Sequence, residues 1–248
     1  MRRNPILLAA LVLLASCGET PPDSIRVVTF NMYVGLDFEA KVAEFQEGAD
    51  PEALAAEILA DFQNSDPAGR IEMAAAELAA LAPDFIALQE AVLFEAAPLF
   101  RFDFVTLLTD AIEAAGGPEY QALSVENVSL EDVVETGTLL PLTVRFEDRE
   151  AILYRKGFSP EGETVRIHLS AHRDPVEYDG EPLIFHRSLL GARFAAAGER
   201  PITLFTTHLD QADLGEVQPE QASEILEVLR EYRSDENLVL VGDFNSRE

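Results

Sequence analysis

Residues 238–248 read LVLVGDFNSRE: an apolar run, a glycine, and then the polar side chains of Asp243 and Asn245. Leucine and valine in a short continuous run are typical of a buried β-strand, and this run breaks at a glycine. Since side chains along a strand alternate between its two faces, Asp243 and Asn245 share one face. The stretch therefore predicts a strand that ends in a carboxylate and a carboxamide.

Three other segments follow the same pattern. Residues 26–31 (RVVTFN) end in Asn31, residues 84–90 (DFIALQE) end in Glu90, and the segment TLFTTH ends in His208. Taken alone, an Asn or a Glu after a strand is more often a turn former or a solvated side chain, and a lone histidine is more often structural. Four strands that each end in a group able to bind metal, move a proton or hold an anion predict one site at one rim of a sheet.

Helical segments alternate with these strands. Residues 70–82 carry apolar side chains at helical spacing and stop before a proline, after which the strand 84–90 begins. A second helix is predicted at 104–115, a third is predicted to open at Pro219, and residues 37–68 form an acidic, Ala-rich insertion that is partly helical. The strand–helix–strand order predicts an α/β fold.

The remaining segments complete this pattern. Residues 93–146 are long and less regular, which is typical of a wall or lid over a site. Residues 149–157 predict a strand, and residues 188–208 predict two strands joined by a turn. Arg187 precedes the first of these two strands and Arg193 lies within it, and the sequence allows both to face either a cleft or the solvent.

Composition limits the class of protein and its partners. The chain has 248 residues, of which 48% are hydrophobic, and this is ample for a globular core. Its formal net charge is −27. A surface this acidic repels nucleic acid and anionic lipid unless a local patch or metal ions reverse the field, so it argues against a tight binder of duplex DNA.

The first residues resemble a bacterial lipoprotein signal. Two arginines precede an apolar run at 6–14, and small residues then lead to Cys17, the single cysteine of the chain. We expect a signal peptide at 1–16, a polar tether at 17–25 and one domain at 26–248, with Cys17 lipidated and the protein anchored at a bacterial envelope, on its periplasmic or extracellular face. The alternative is an ordinary secretory signal, whereas the apolar run falls well short of the about 20 residues of a membrane span.

The motifs TFN, ALQE, TTHLD and VGDFNS occur in the order and strand contexts of the endonuclease/exonuclease/phosphatase family, which has the deoxyribonuclease I-like fold. The resemblance covers residues 26–248 and is carried by Asn31, Glu90, His208, Asp243 and Asn245. It implies an α/β fold, a four-layer α/β sandwich of two mixed β-sheets flanked by helices, and metal-dependent hydrolysis of phosphate esters. Nucleic acid, a phospholipid headgroup and a small phosphoester all remain open as substrate, and no protein partner is implied.

The resemblance also implies a role for each site residue. Glu90 and Asn31 correspond to ligands of Mg²⁺ or Mn²⁺, hard cations that suit carboxylate and carboxamide oxygens. Asp243 corresponds to the residue that activates the attacking water, and Asn245 corresponds to an amide donor to the phosphate.

His208 corresponds to a histidine that supports proton transfer or binds phosphate. Some family members carry an acidic partner for this histidine in the strand that corresponds to DREAILYRK. Asp148 and Glu150 are both candidates for that partner.

Members of the family continue beyond GDFN through further strands to a Ser-Asp-His segment. The resemblance therefore implies that the C-terminal strands of the fold are missing here, and that this chain is a fragment with little or no activity. The alternative is a non-catalytic surface lipoprotein that uses an incomplete hydrolase fold for binding. We favour a phosphoesterase, since a chain without catalysis would have no reason to keep five site residues together.

Overall fold

The computed structural model describes residues 24–246, except for 37–39, 42–43, 46, 99, 135–141, 179–180, 197–199, 212–214 and 235–236. The predicted signal at 1–16, Cys17 and all but the last two residues of the predicted tether lie outside the described residues. Among the helices of the described part, none is long and apolar enough to span a membrane.

The first sheet has six strands. They are β1 (Val27–Asn31), β2 (Phe85–Gln89), β3 (Leu93–Ala97), β4 (Phe100–Asp103), β5 (Tyr120–Val134) and β6 (Leu142–Arg155). Their order is β1-β2-β6-β3-β4, and β5 pairs with β6 as well. β1 and β2 run parallel, and the other pairs of this sheet are antiparallel, so the sheet is mixed.

The second sheet has the order β12-β11-β10-β7. Its strands are β7 (Ser159–His168), β10 (Ser188–Ala195), β11 (Ile202–His208) and β12 (Leu238–Asp243). β11 and β12 run parallel and the other pairs are antiparallel, so this sheet is mixed too. The short strands β8 (Val176–Tyr178) and β9 (Glu181–Leu183) form a separate ribbon.

Helices supply the parallel connections. α1 (Pro51–Asn64) and α2 (Pro67–Leu81) link β1 to β2, α3 (Phe104–Ala114) follows β4, and α4 (Val217–Leu229) with a 3₁₀ turn (Arg230–Tyr232) links β11 to β12. Side-chain capping begins α1 and α2: Asp50 accepts from the backbone N of Ala53, and Asp66 accepts from the backbone N of Gly69. Each cap satisfies a backbone N–H that has no partner within the helix.

Three apolar clusters fill the spaces between four layers, which are helices, the first sheet, the second sheet and a helix. Between the sheets lie Phe85 and Ile152 of the first sheet and Leu190, Phe194 and Leu204 of the second. The outer face of the first sheet packs against α2 and α3, and the outer face of the second sheet packs against α4. The predicted four-layer sandwich of two mixed sheets flanked by helices is confirmed.

Some predicted boundaries were wrong. The helix predicted at 70–82 begins at Pro67, and the helix predicted to open at Pro219 begins at Val217. The helix predicted at 104–115 is present as Phe104–Ala114, but the described part of residues 93–146 is more regular than predicted, because it also contains β3, β4, β5 and the first residues of β6. The long strand β5 was not predicted, because acidic residues are interspersed among its apolar ones. The segment is extended because it pairs with β6 along its length.

Candidate active site

The ends of β1 and β12 meet at the side chain of Asn31. Its Nδ2 donates to Glu90 Oε1 at 2.9 Å and to Asp243 Oδ2 at 3.0 Å, while its Oδ1 accepts from the backbone N of Tyr33 at 2.8 Å. One carboxamide therefore holds two carboxylates, one from each sheet. Because each carboxylate accepts a hydrogen bond from the same donor, Asn31 offsets part of the repulsion between them.

The backbone around the site adopts conformations that most residues avoid. Glu90, Tyr33 and Asn245 have φ angles of +52°, +59° and +47°. Asn tolerates this left-handed region, but Glu and Tyr pay about 1–2 kcal/mol for it. Glu90 Oε2 accepts from the backbone N of Val34 at 2.6 Å, which helps to hold the turn. Strained residues that gather at one rim are typical of a functional site.

Asp243 and Asn245 form a tight turn after β12. The backbone N of Asn245 donates to Asp243 Oδ1 at 3.0 Å. Burial raises the pKa of Asp243, but hydrogen bonds from Asn31 and the backbone of Asn245 outweigh it and hold that pKa below its usual range. Asp243 is therefore ionised at neutral pH.

His208 is buried at the end of β11, with 4% of its surface exposed. Its Nδ1 lies 3.1 Å from Arg187 Nη1, and its Nε2 lies 3.0 Å from Asn245 Nδ2 and 3.9 Å from Asp243 Oδ2. Burial and then the charge of Arg187 lower the pKa of His208 to about 3. The ring is therefore neutral at physiological pH.

This neutral ring predicts a loss of stability in acid. The unfolded chain binds a proton near pH 6.5, whereas folded His208 resists protonation down to about pH 3. The stability that His208 contributes is therefore present above about pH 6.5 and lost as pH falls toward 3, at up to about 1.4 kcal/mol per pH unit. As the pH falls from about 6.5 to 4.5, we expect the free energy of unfolding, measured with urea, to decrease less in His208→Gln than in the wild type. Parallel pH curves for the two proteins would contradict the lowered pKa.

Arg187 is held by a buried carboxylate. Its Nε donates to Asp210 Oδ1 at 3.1 Å, and Arg173 Nη2 donates to the same oxygen at 2.5 Å. Gln221 of α4 donates to Asp210 Oδ2 at 2.9 Å and accepts from the backbone N of Asp210 at 2.9 Å. Burial opposes ionisation of Asp210, but the two arginines and Gln221 keep its pKa below the usual range. Helix α4 thus fixes the segment that follows His208.

Gln218 of α4 fixes the turn after β12 in the same way. Its Nε2 donates to the backbone oxygens of Asp210, Phe244 and Asn245 at 2.9, 2.8 and 3.1 Å. The roles of Gln218, Gln221 and Asp210 were missed in the sequence, although Asp210 follows His208 by two positions in TTHLD. Arg187 faces the site, whereas Arg193 pairs with Glu161 and has 46% of its side chain exposed.

Asp148 and Glu150 lie on β6, and neither makes a hydrogen bond to His208 among the described contacts. Asn127, the extra residue of a bulge in β5, donates from Nδ2 to Asp148 Oδ2 at 2.9 Å and to Glu150 Oε1 at 3.1 Å. Burial and then the charge of Asp148 raise the pKa of Glu150 well above its usual value. The side chain beside His208 Nδ1 is that of Arg187, so the predicted pairing of His208 with Asp148 or Glu150 is not seen among the described contacts.

The donor set fits a hard cation at Glu90 and Asn31. Both side chains offer oxygen, and oxygen ligands with several retained waters are what Mg²⁺ prefers. The amide orientation of Asn31 is exchangeable, so Oδ1 can be turned toward a cation at the cost of its present bonds. Among the described residues, no three His, Cys, Asp or Glu side chains form a group that could enclose a metal by themselves.

Comparison with known proteins gives a likeness in structure. No protein-family model matches the sequence, and no curated protein matches it. An endonuclease/exonuclease/phosphatase family protein from Leptotrichia buccalis C-1013-b superposes with a TM-score of 0.51 at 14% identity, over 90% of this chain and 67% of that one. Its counterpart from Bacteroides thetaiotaomicron gives 0.50 at 19% identity, over 89% and 62%.

An endonuclease/exonuclease/phosphatase from Beutenbergia cavernae DSM 12333 gives a TM-score of 0.52 at 22% identity, over 90% of this chain and 48% of that one. The chain therefore spans about half to two thirds of the length of these three structures. The three likenesses together with the two mixed sheets show that this protein has the fold of endonuclease/exonuclease/phosphatase proteins.

Proposed function

We propose that the protein is a metal-dependent phosphoesterase that hydrolyses a phosphodiester or a phosphomonoester. One observation carries the proposal: hydrogen bonds join Glu90, Asn31, Asp243 and Asn245 at one rim of the sandwich, and Asn245 Nδ2 lies 3.0 Å from His208 Nε2. Oxygen donors for a cation, an ionised carboxylate and amide donors for an anion are thus in contact, and phosphoryl transfer to water needs these three elements.

Each side chain has a task that its surroundings support. A Mg²⁺ or Mn²⁺ ion held by Glu90 and Asn31 would neutralise charge on the phosphoryl oxygens. Asp243 is ionised and can accept the proton of the attacking water, although its lowered pKa makes it a weaker base. Asn245 Nδ2 is fixed by the backbone oxygen of Leu209 at 2.8 Å and can donate its second hydrogen to a phosphoryl oxygen.

The test is release of product from a substrate panel in the presence of Mg²⁺. The panel contains bis-p-nitrophenyl phosphate, p-nitrophenyl phosphate, single-stranded DNA and a phospholipid, and the protein is the whole product of its gene. We expect hydrolysis of at least one substrate, abolished by EDTA and restored by Mg²⁺ or Mn²⁺. A folded protein that hydrolyses none of them with either metal would favour the non-catalytic binding protein.

A second measurement concerns the metal. We expect Mg²⁺ or Mn²⁺ binding, measured by calorimetry, to weaken by about 10-fold or more in Glu90→Gln, because an amide replaces a charged ligand. Glu72→Gln is the matched control, since Glu72 is an exposed residue of α2. Equal affinities in Glu90→Gln and the wild type would remove Glu90 from the metal site.

We also propose that Cys17 carries a lipid that anchors the protein at a bacterial envelope. The support is the order of charged residues, apolar run, small residues and single cysteine. Expressed in a bacterium, the protein should fractionate with membranes and incorporate labelled palmitate, and Cys17→Ser should lose the label. Release of unlabelled wild-type protein into the periplasm would argue for the ordinary secretory signal.

A further inference from the structure

Both ring nitrogens of His208 face hydrogen-bond donors. Arg187 Nη1 lies 3.1 Å from Nδ1, and Asn245 Nδ2 lies 3.0 Å from Nε2. A neutral imidazole has one N–H and one lone pair, so it can accept at only one of these positions. At the other position two donors must face each other.

The energies of the two contacts decide which nitrogen accepts. A hydrogen bond from a charged group is about twice as strong as one from a neutral amide. Arg187 cannot give up its charge, and its guanidinium is fixed by the bond from Nε to buried Asp210. The lone pair therefore belongs on Nδ1, where it accepts from Arg187, and the proton belongs on Nε2.

We propose that Arg187, positioned by Asp210, fixes His208 in the Nε2–H tautomer, so that His208 serves the site as a neutral hydrogen-bond donor and not as a proton acceptor. The role of His208 toward a substrate rests on the proposed phosphoesterase function, whereas the tautomer does not. The Nε2–H tautomer selects phosphate binding from the two roles that the sequence left open for His208. Arg187 is a positioning residue in this scheme, because it acts through the ring.

At Nε2 the N–H of the ring faces a second donor, Asn245 Nδ2, and this arrangement indicates what kind of acceptor the ring binds. Asn245 cannot relieve it by exchanging its amide atoms, since Nδ2 also donates to the backbone oxygen of Leu209 at 2.8 Å. The nearest carboxylate oxygen, Asp243 Oδ2, lies 3.9 Å from Nε2, too far for a hydrogen bond. Two adjacent donors without an acceptor form a favourable place for one anionic oxygen, and a phosphoryl oxygen of the substrate has the required charge.

Two arginines and two aspartates determine the charge of the His208 ring. Arg187 and Arg173 disfavour a second proton on the ring, while Asp243 and Asp210 favour one. The two aspartates are not equivalent, because Asp210 is engaged by Arg187, Arg173 and Gln221. A carboxylate in the place of Arg187 would accept a hydrogen bond from Nδ1–H. It would therefore favour the opposite tautomer, with the proton on Nδ1 and the lone pair free at Nε2.

The direct test is long-range ¹H–¹⁵N correlation NMR on protein with ¹⁵N-labelled histidine. The signals of His208 are assigned from their absence in His208→Gln, and the other three histidines serve as internal references. We expect the wild type at about pH 7 to show neutral His208 with the proton on Nε2. An Nδ1–H or doubly protonated ring in the wild type would overturn the proposal, and this measurement needs no variant of Arg187.

Variants of two arginines beside or within β10 then test the cause. In Arg187→Gln we expect the Nε2–H preference to be lost and the pKa of His208 to rise by about one pH unit, since a neighbouring positive charge is removed. Arg193→Gln is the matched control, because Arg193 pairs with Glu161 away from the site, and it should leave both readouts unchanged. An unchanged tautomer in folded Arg187→Gln would show that Arg187 is not the cause.

Neither NMR readout requires substrate, so an inactive protein would leave the inference on Arg187 standing. If the protein is active, Arg187→Lys should keep a positive charge beside the ring and therefore keep part of the activity that Arg187→Gln loses. The loss in Arg187→Gln should fall on kcat, because the donor at Nε2 is needed where charge develops on the phosphoryl oxygen. A change in KM alone would contradict the donor role.

Discussion

Asp243→Asn should hydrolyse phosphate esters at least about 100-fold more slowly than the wild type. The change keeps the size of the side chain but removes the negative charge and the proton acceptor, a contribution typically worth 10²- to 10⁴-fold. Two donors, Asn31 Nδ2 and the backbone N of Asn245, point at this carboxylate. An amide at position 243 can accept both bonds at one oxygen only, so the loss of activity includes some loss of geometry.

Stability separates the chemical role of Asp243 from a structural one. The carboxylate of Asp243 accepts hydrogen bonds from Asn31 and from the backbone N of Asn245 in the folded state, so Asp243→Asn should reduce the free energy of unfolding by about 1 kcal/mol. Asp110→Asn, on the exposed face of α3, is the control for both measurements. If Asp243→Asn is folded and hydrolyses substrate at the normal rate, Asp243 is a turn residue and the proposed role is wrong.

The second large effect is expected at Gly242. Its φ is +153°, and a Cβ placed there would lie 2.1 Å from the carbonyl oxygen of Thr207 on the paired strand β11. Ala at this position must move β12 away from β11, and the next pair along the two strands is Asp243 with His208. We expect Gly242→Ala to lose about 3 kcal/mol of stability from steric overlap and backbone strain, and most of any activity.

The control for Gly242→Ala is Gly157→Ala. Gly157 also has a positive φ, +114°, but a Cβ there has no atom within 4 Å. It should therefore show the cost of backbone strain alone, about 1 kcal/mol. Urea unfolding of the two variants measures the difference. Equal losses would mean that close approach to Thr207 does not determine the stability of this strand pair.

Local patterns predicted an α/β fold and the strand ends, because each apolar run and each polar terminus can be seen within a few residues, whereas the four-layer sandwich was implied only by the resemblance of the motifs to a family. The partner of His208 could not be predicted in this way. Arg187 reaches His208 because Leu189 pairs with Thr207, which places the residues just before β10 beside the end of β11. Strand register is a tertiary property, and one sequence does not fix which of Arg187 and Arg193 it brings to the site.

The same limit applies to the acidic residues of β6. Asp148 and Glu150 share a face of their strand, as the two-residue period requires. Their common partner, Asn127, is directed at them by a bulge in β5, and a bulge is a mismatch between two strands that neither strand encodes alone. Sequence therefore predicted which residues are polar at the rim, but not which of them contact each other.

The bond between Asn31 and Asp243 makes completion of the candidate site a late event in folding. These residues are 212 positions apart in the chain and belong to the outermost strands of different sheets, so each sheet can form its own hydrogen bonds before the two residues meet. Contacts between distant parts of a chain are slow to form, because the connecting chain must first lose its freedom. During refolding, secondary structure should therefore return before the proposed phosphoesterase activity, which needs both Asn31 and Asp243. That activity, measured over time, would report the docking of one sheet onto the other.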